Sequence, residues 1–120
     1  MTQQELDDRL TMFAGRCIRV CEALPVKRLG NAQLADQLFR SSTSVAANYA
    51  EATQAESRKD FIHKVKIAVK ELTESRTWLK IIVASGRIPG DQMTPLLLEA
   101  DQLIRILGAS IATAKARLKT

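Results

Sequence analysis

Apolar side chains recur in alternating steps of four and three along nearly the whole chain, with polar ones between them. The first run is Leu6, Leu10, Phe13, Cys17, Val20 and Leu24. Residues spaced this way stack on one side of an α-helix. The pattern predicts a helix from about Gln3 to Leu24, with Thr2 and Glu5 as a capping box and Pro25 as its stop. Residues 26–30 form a link. Asn31 is then the expected cap of a second helix ending near Ala52, with the seam Leu34, Leu38, Ser41, Val45, Asn48 and Ala52. A turn over residues 53–56 leads to Ser57, which has Asp60 three positions on and so caps a third helix reaching about Ser85. The seam of this helix is Phe61, Val65, Ala68, Leu72, Ser75, Leu79 and Ile82, and Gly86 is its natural terminator. After a turn over residues 86–90 the fourth helix has two possible starts. One is Asp91; the other, preferred here, has Thr94 as cap with Pro95 in the first turn. Its seam reads Leu97, Ala100, Ile104, Leu107, Ile111, Ala114 and Leu118.

Four amphipathic helices with short links and no strand pattern predict an all-α fold. The expected architecture is an antiparallel up-down-up-down four-helix bundle, one domain over residues 1–120. The alternating spacing implies near-parallel packing at roughly 20°. The second helix is unusual because nearly every residue from Ser41 to Ala47 is small. Such a helix lets its neighbours approach closely, and being apolar nearly all round it should be surrounded by them.

Composition adds bounds. Hydrophobic residues make up 46% and charged ones 26% of the 120 residues, as in an ordinary globular protein. The net charge of +5 is uneven: residues 1–60 carry eight basic and eight acidic side chains, and residues 61–120 carry ten and five. A basic half suggests an anionic partner. Cys17 and Cys21 lie one helical turn apart in the first seam, where a bridge would distort the helix, so both read as reduced. The N-terminal residues carry neither a basic stretch nor an apolar one of the kind a secretion signal needs, and no apolar run approaches the ~20 residues that span a bilayer. A cytoplasmic protein with no membrane partner is expected.

Candidate chemistry is sparse. Asp60 with His63 and Glu71 with Glu74 have the spacing of di-iron bundle ligands. Such a site wants inward-pointing Glu-x-x-His pairs, however, and His63 is the sole histidine and lies away from the core seam. No metal and no cofactor is expected. No serine or cysteine sits in a nucleophile elbow and no glycine-rich phosphate loop occurs, so no catalytic residue is assigned. Arg76 falls beside Leu72 and Leu79, near the core, and needs a carboxylate there; Glu51 is the expected partner. Asn48, on a seam, is expected to be buried and to hydrogen-bond across the bundle.

Two surface stripes remain on the third helix. Lys59, His63, Lys66 and Lys70 form one exposed row about 16 Å long, either a solvated face or a strip that contacts phosphates, and the Lys115, Arg117 and Lys119 end of the fourth helix is expected to add to its field. No aromatic side chain interleaves it, so stacking on unpaired bases is not supported by the row itself. The second stripe is Ile67, Glu71, Glu74, Trp78, Ile81 and Ser85, outside the core seam. Ile67, Trp78 and Ile81, with Phe39 on the back of the second helix, would leave apolar surface on a lone bundle, so they are the expected oligomer interface.

The two central helices carry a resemblance. Gln37-Leu38, Arg40, Ser44-Val45 and Asn48 through Glu51, then Phe61-Ile62, Ile67-Ala68, Lys70-Glu71, Glu74-Ser75 and Trp78-Leu79, are similar to a bacterial four-helix-bundle protein family. That family includes proteins encoded inside intervening sequences of large-subunit ribosomal RNA genes, and the accessory variability proteins of diversity-generating retroelements are related to it. The resemblance covers roughly residues 10 to 110. It departs at Ala52, where the family has a glycine closing the second helix, so the turn is expected to start later here. The resemblance implies a ring of five bundles, and from the retroelement branch a nucleic-acid or reverse-transcriptase partner. The expected function is therefore a non-enzymatic homo-oligomeric scaffold that binds RNA, DNA or a nucleic-acid enzyme. The alternative is a protein–protein interaction module that binds no nucleic acid.

Overall fold

Thr2 accepts a hydrogen bond from the Glu5 amide at 3.1 Å, and from this cap helix α1 runs Gln3–Ala23. The computed structural model describes residues 1–119, so Thr120, the last residue of the expected domain, lies outside the described residues. Pro25 holds Leu24 in an extended conformation, and α1 ends there. Helix α2 spans Asn31–Thr53, α3 spans Arg58–Ala84 and α4 spans Gly90–Leu118. No strand occurs among the described residues. The helices share one core in a body of 54 × 23 × 20 Å. No helix is long and apolar enough to cross a membrane among the described residues.

The Ser57 cap stands as expected, its Oγ accepting from the Asp60 amide at 3.0 Å. The start of α2 does not. Gly30, with φ +85°, is the cap residue, and Asn31 is already helical and 1% exposed. A left-handed cap suits glycine, and the Asn31 side chain instead pins the preceding link, its Nδ2 donating to the Pro25 carbonyl at 2.7 Å. α2 ends one residue beyond Ala52, in keeping with the missing glycine there.

α4 begins a full turn before the preferred start. Pro89 precedes its first residue, and Thr94, far from capping, donates its hydroxyl to the Gly90 carbonyl at 2.9 Å. Pro95 therefore sits inside the helix. Its missing N–H orphans the Asp91 carbonyl in an exposed second turn, where water can take over the bond. Ala100, Leu107 and Ala114 of the expected seam are buried, but Met93, Leu96 and Leu103 complete the buried face in place of Leu97, Ile104 and Ile111. Leu97, Ile104 and Ile111 flank the core and Leu118 is 43% exposed. α4 is apolar on both sides of the line through Ala100, Leu107 and Ala114, so either flank could face the core, and packing chose the side of Leu96 and Leu103.

The other seams are close to expectation, though Val20, Leu34 and Asn48 are only half-buried. Phe61 is half-buried while its neighbour Ile62 takes the core position, and Tyr49, outside the expected seam, is the largest of the fully buried side chains. α2 packs most extensively against α3, and of the neighbouring helix pairs α1 and α4 meet least. Arg40 meets Glu74 at 3.3 Å and Glu51 meets Lys64 at 3.1 Å, so numbers rise along α2 as they fall along α3. The loose α1–α4 seam is clamped by Arg9. Its guanidinium takes Glu99 through two bonds, at 2.6 and 3.1 Å, and Gln102 at 2.7 Å.

Candidate nucleic-acid interface

The basic row depends on the length of α3. Positions 59, 63, 66 and 70 advance by four, three and four, so they stay on one side while Val65, Ala68 and Leu72 are held in the core. Lys59, His63, Lys66 and Lys70 are all exposed. The ion pairs of the described residues use Arg9, Arg40, Lys64 and Arg76, and none uses the row. Every positive charge of the row thus faces solvent without a carboxylate to offset it.

A second helix adds to this field. Lys115 of α4 comes against Lys66, and the repulsion between their ammonium groups lowers the pKa of Lys115 below its ordinary value. Nearby, Arg58 Nη1 donates to the Arg117 carbonyl at 3.0 Å, tying the start of α3 to the last turn of α4. Lys66 and Lys115 stand on different helices far apart in the sequence, and no spacing rule joins them.

The apolar stripe is divided. Phe39 is 50% and Ile81 40% exposed, so both stand on the surface as expected. Ile67 is half-buried, and Trp78 packs partly against the core with its Nε1 donating to Glu74 Oε1 at 3.3 Å. The same Glu74 oxygen accepts from Arg40.

The three expected buried polar residues are placed differently. Asn48 is half-buried and bonds back to its own helix, donating at 2.9 Å to both the carbonyl and the hydroxyl of Ser44. Its short side chain reaches the preceding turn more readily than another helix. Arg76 faces α4 rather than α2, and its partner is Asp101 at 2.7 Å, not Glu51. Glu51 is exposed and level with Lys64, which it pairs. Residues 64 and 76 are about 18 Å apart along α3, so one carboxylate on α2 cannot serve both. The polar groups that do cross the core are Ser41 and Ser75, with Oγ atoms 2.8 Å apart.

Near the end of the loose α1–α4 seam lies a cleft of about 740 Å³. Ser110, Thr113 and Ala114 of α4 are too small to fill the space beside Gln3 of α1, and Phe61 of α3 lines it too. The sequence signal for it was the cluster of small residues Ser110, Ala112, Thr113 and Ala114. No group of three or more His, Cys, Asp or Glu side chains able to hold a metal occurs among the described residues.

The family model of the 23S rRNA-intervening sequence protein matches residues 7–109. The chain belongs to that family. A crystal structure of a protein with unknown function from the S23 ribosomal protein family of Bacteroides thetaiotaomicron is similar at 32% identity, with a TM-score of 0.78. The similarity covers 88% of this chain and 97% of that one. No curated protein matches the chain. The family match reaches into all four helices and takes in the whole basic row, and it stops short of Lys115.

Proposed function

We propose that this chain is a non-enzymatic scaffold: an antiparallel up-down-up-down bundle that assembles into a homo-oligomeric ring, five-fold by family resemblance, and binds nucleic acid through its basic row. The observation that carries the reading is the row itself: Lys59, His63, Lys66 and Lys70 share one exposed face of α3, and none of them enters an ion pair with a carboxylate among the described residues. Lys115 extends the contact onto α4. The family's description concerns intervening sequences of 23S rRNA, which makes RNA the first polyanion to test. The partner is then an RNA or DNA, or an enzyme such as a reverse transcriptase that carries one.

Backbone phosphates, rather than base edges, are the complement of such a row, so binding is salt-dependent and indifferent to sequence. With three to four lysines engaged, the log–log salt slope for duplex DNA is about −3 to −4 per row. A ring presents several rows to one strand and gains avidity from it. A second reading, a protein-interaction module, is favoured by the exposure of Phe39 and Ile81. Fluorescence anisotropy with labelled RNA at several salt concentrations separates the two. Changing Lys59, Lys66 and Lys70 together to Glu abolishes binding on the first reading. If the triple variant keeps its fold and mass and binds as well as wild type, the protein-module reading replaces it.

A further inference from the structure

One stripe of α1 has no partner inside the bundle. Glu5, Asp8, Met12, Arg16 and Arg19 advance by three, four, four and three, so they share one side of the helix, turned away from Leu6, Leu10, Phe13 and Cys17 in the core. Arg16 is half-buried, the others are exposed, and Met12 is 59% exposed. None of the four charges enters an ion pair among the described residues. Glu5 bonds with Thr2 and Asp8 with Gln4, both neutral, and neither arginine side chain makes a hydrogen bond there. A lone helix does not call for this order of charges. Its dipole favours acids in the first turn and bases in the last, and Asp8, Arg16 and Arg19 lie between the two. Gly15 stands one turn from Met12 on the outward side. A Cβ there would meet no atom within 4 Å, although glycine inside a helix is less stable than alanine. Bare backbone beside Met12 is what a second helix laid against it would use.

The stripe reads acid, acid, Met, Arg, Arg, and it matches itself in reverse. We propose that α1 pairs antiparallel with α1 of a second copy of this chain, about a two-fold axis at Met12. The axis sets Asp8 beside the partner's Arg16 and Glu5 beside the partner's Arg19, and symmetry makes each pair twice. A parallel pairing would set acids against acids and arginines against arginines. Met12 meets its own counterpart at the centre. Leu98 of α4 is 61% exposed and lies within a turn of the level of Met12, because the Arg9–Glu99 clamp fixes that register. The two Met12 and two Leu98 side chains make an apolar centre with the charges at its rim. The contact uses neither Phe39 nor Ile81, so it joins two single bundles or two rings alike.

The test reverses the charges of one pair. Asp8→Arg and Arg16→Asp each turn two attractions into two repulsions and should weaken the association by about tenfold or more at low salt. Light scattering should then give each single variant half the particle mass of wild type, whatever the mass of the whole assembly. Asp8→Arg combined with Arg16→Asp restores both pairs and should return the wild-type mass. Circular dichroism checks that all three keep the wild-type helical content. Met12→Cys gives a second reading that leaves the charges alone. A cysteine on the axis faces its own copy, so mild oxidation should link two chains. Wild type, whose Cys17 is buried and Cys21 half-buried, should stay unlinked under the same treatment. An unchanged mass in either single variant, a double variant that stays at half mass, or no linked pair from Met12→Cys overturns the proposal.

Discussion

Ser41 Oγ and Ser75 Oγ lie 2.8 Å apart, each on a residue with no exposed surface, where α2 and α3 cross the core. Only small side chains allow two helices this close. Ser75 has the shorter backbone acceptor, the Glu71 carbonyl at 2.9 Å against 3.4 Å from Ser41 to the Leu38 carbonyl, which favours Ser41 as the donor across the pair. Replacing Ser41 by Leu should lower the melting temperature by roughly 5–10 °C, since overpacking costs about 1–3 kcal/mol. Alanine substitutions should differ in cost. Ser41→Ala leaves Ser75 its acceptor and costs about 0.5–1 kcal/mol, whereas Ser75→Ala leaves Ser41 with the Leu38 carbonyl at 3.4 Å and costs about 1–2 kcal/mol. Urea denaturation of both variants checks the order; the reverse order contradicts this proton assignment.

Asn31 joins two loops at one end of the bundle. It donates to the Pro25 carbonyl and accepts from Arg87 Nε, while Arg87 Nη2 also donates to the Leu29 carbonyl. The side chain is buried, so Asn31→Ala orphans Pro25 and Arg87 together and should cost about 2–3 kcal/mol. Arg87→Ala should cost less, because one of its two acceptors, the Leu29 carbonyl, belongs to an exposed residue that water reaches. A thermal melt in which Asn31→Ala matches wild type would remove the latch.

The proposed ring must cover Phe39 and Ile81. Because both are exposed on the single chain, Phe39→Ser with Ile81→Ser should leave helical content intact and reduce the particle mass in light scattering. Trp78→Ala is a poorer probe, since Trp78 also packs on the core and its loss destabilises the bundle. An unchanged mass for the double variant would exclude these two residues from the contact.

Burial, aided by repulsion from Cys21, pushes the Cys17 thiol up to about 12 from its ordinary 9.0. The folded chain keeps the thiol neutral where the unfolded chain ionises it. Stability from this residue is therefore complete below about pH 9 and declines as pH rises toward 12, by about 2 kcal/mol at pH 10.5. Cys17→Ala is less stable at pH 8 but should lose less between pH 8.5 and 10.5. Parallel curves for the two proteins in urea titrations would refute the linkage.

The helices, the capped starts of α1 and α3 and the exposed basic row were legible in the sequence, because a side chain's phase on its own helix depends only on spacing. The caps at Thr2 and Ser57 act within three residues, and Lys59, His63, Lys66 and Lys70 share a row by the same local rule. Contacts between helices were not legible. Arg76 chose Asp101 over Glu51, and Ser41 rather than Asn48 spans the core, because those choices depend on axial offsets that no single helix encodes. α4 could have buried either of two apolar flanks, and the core it shares with three other helices selected Met93, Leu96 and Leu103. The meeting of Lys66 with Lys115, and the cleft beside Phe61, arise from how the ends of α1, α3 and α4 come together. Periodicity orients a helix about its own axis; only packing in three dimensions sets which turns of two helices lie side by side.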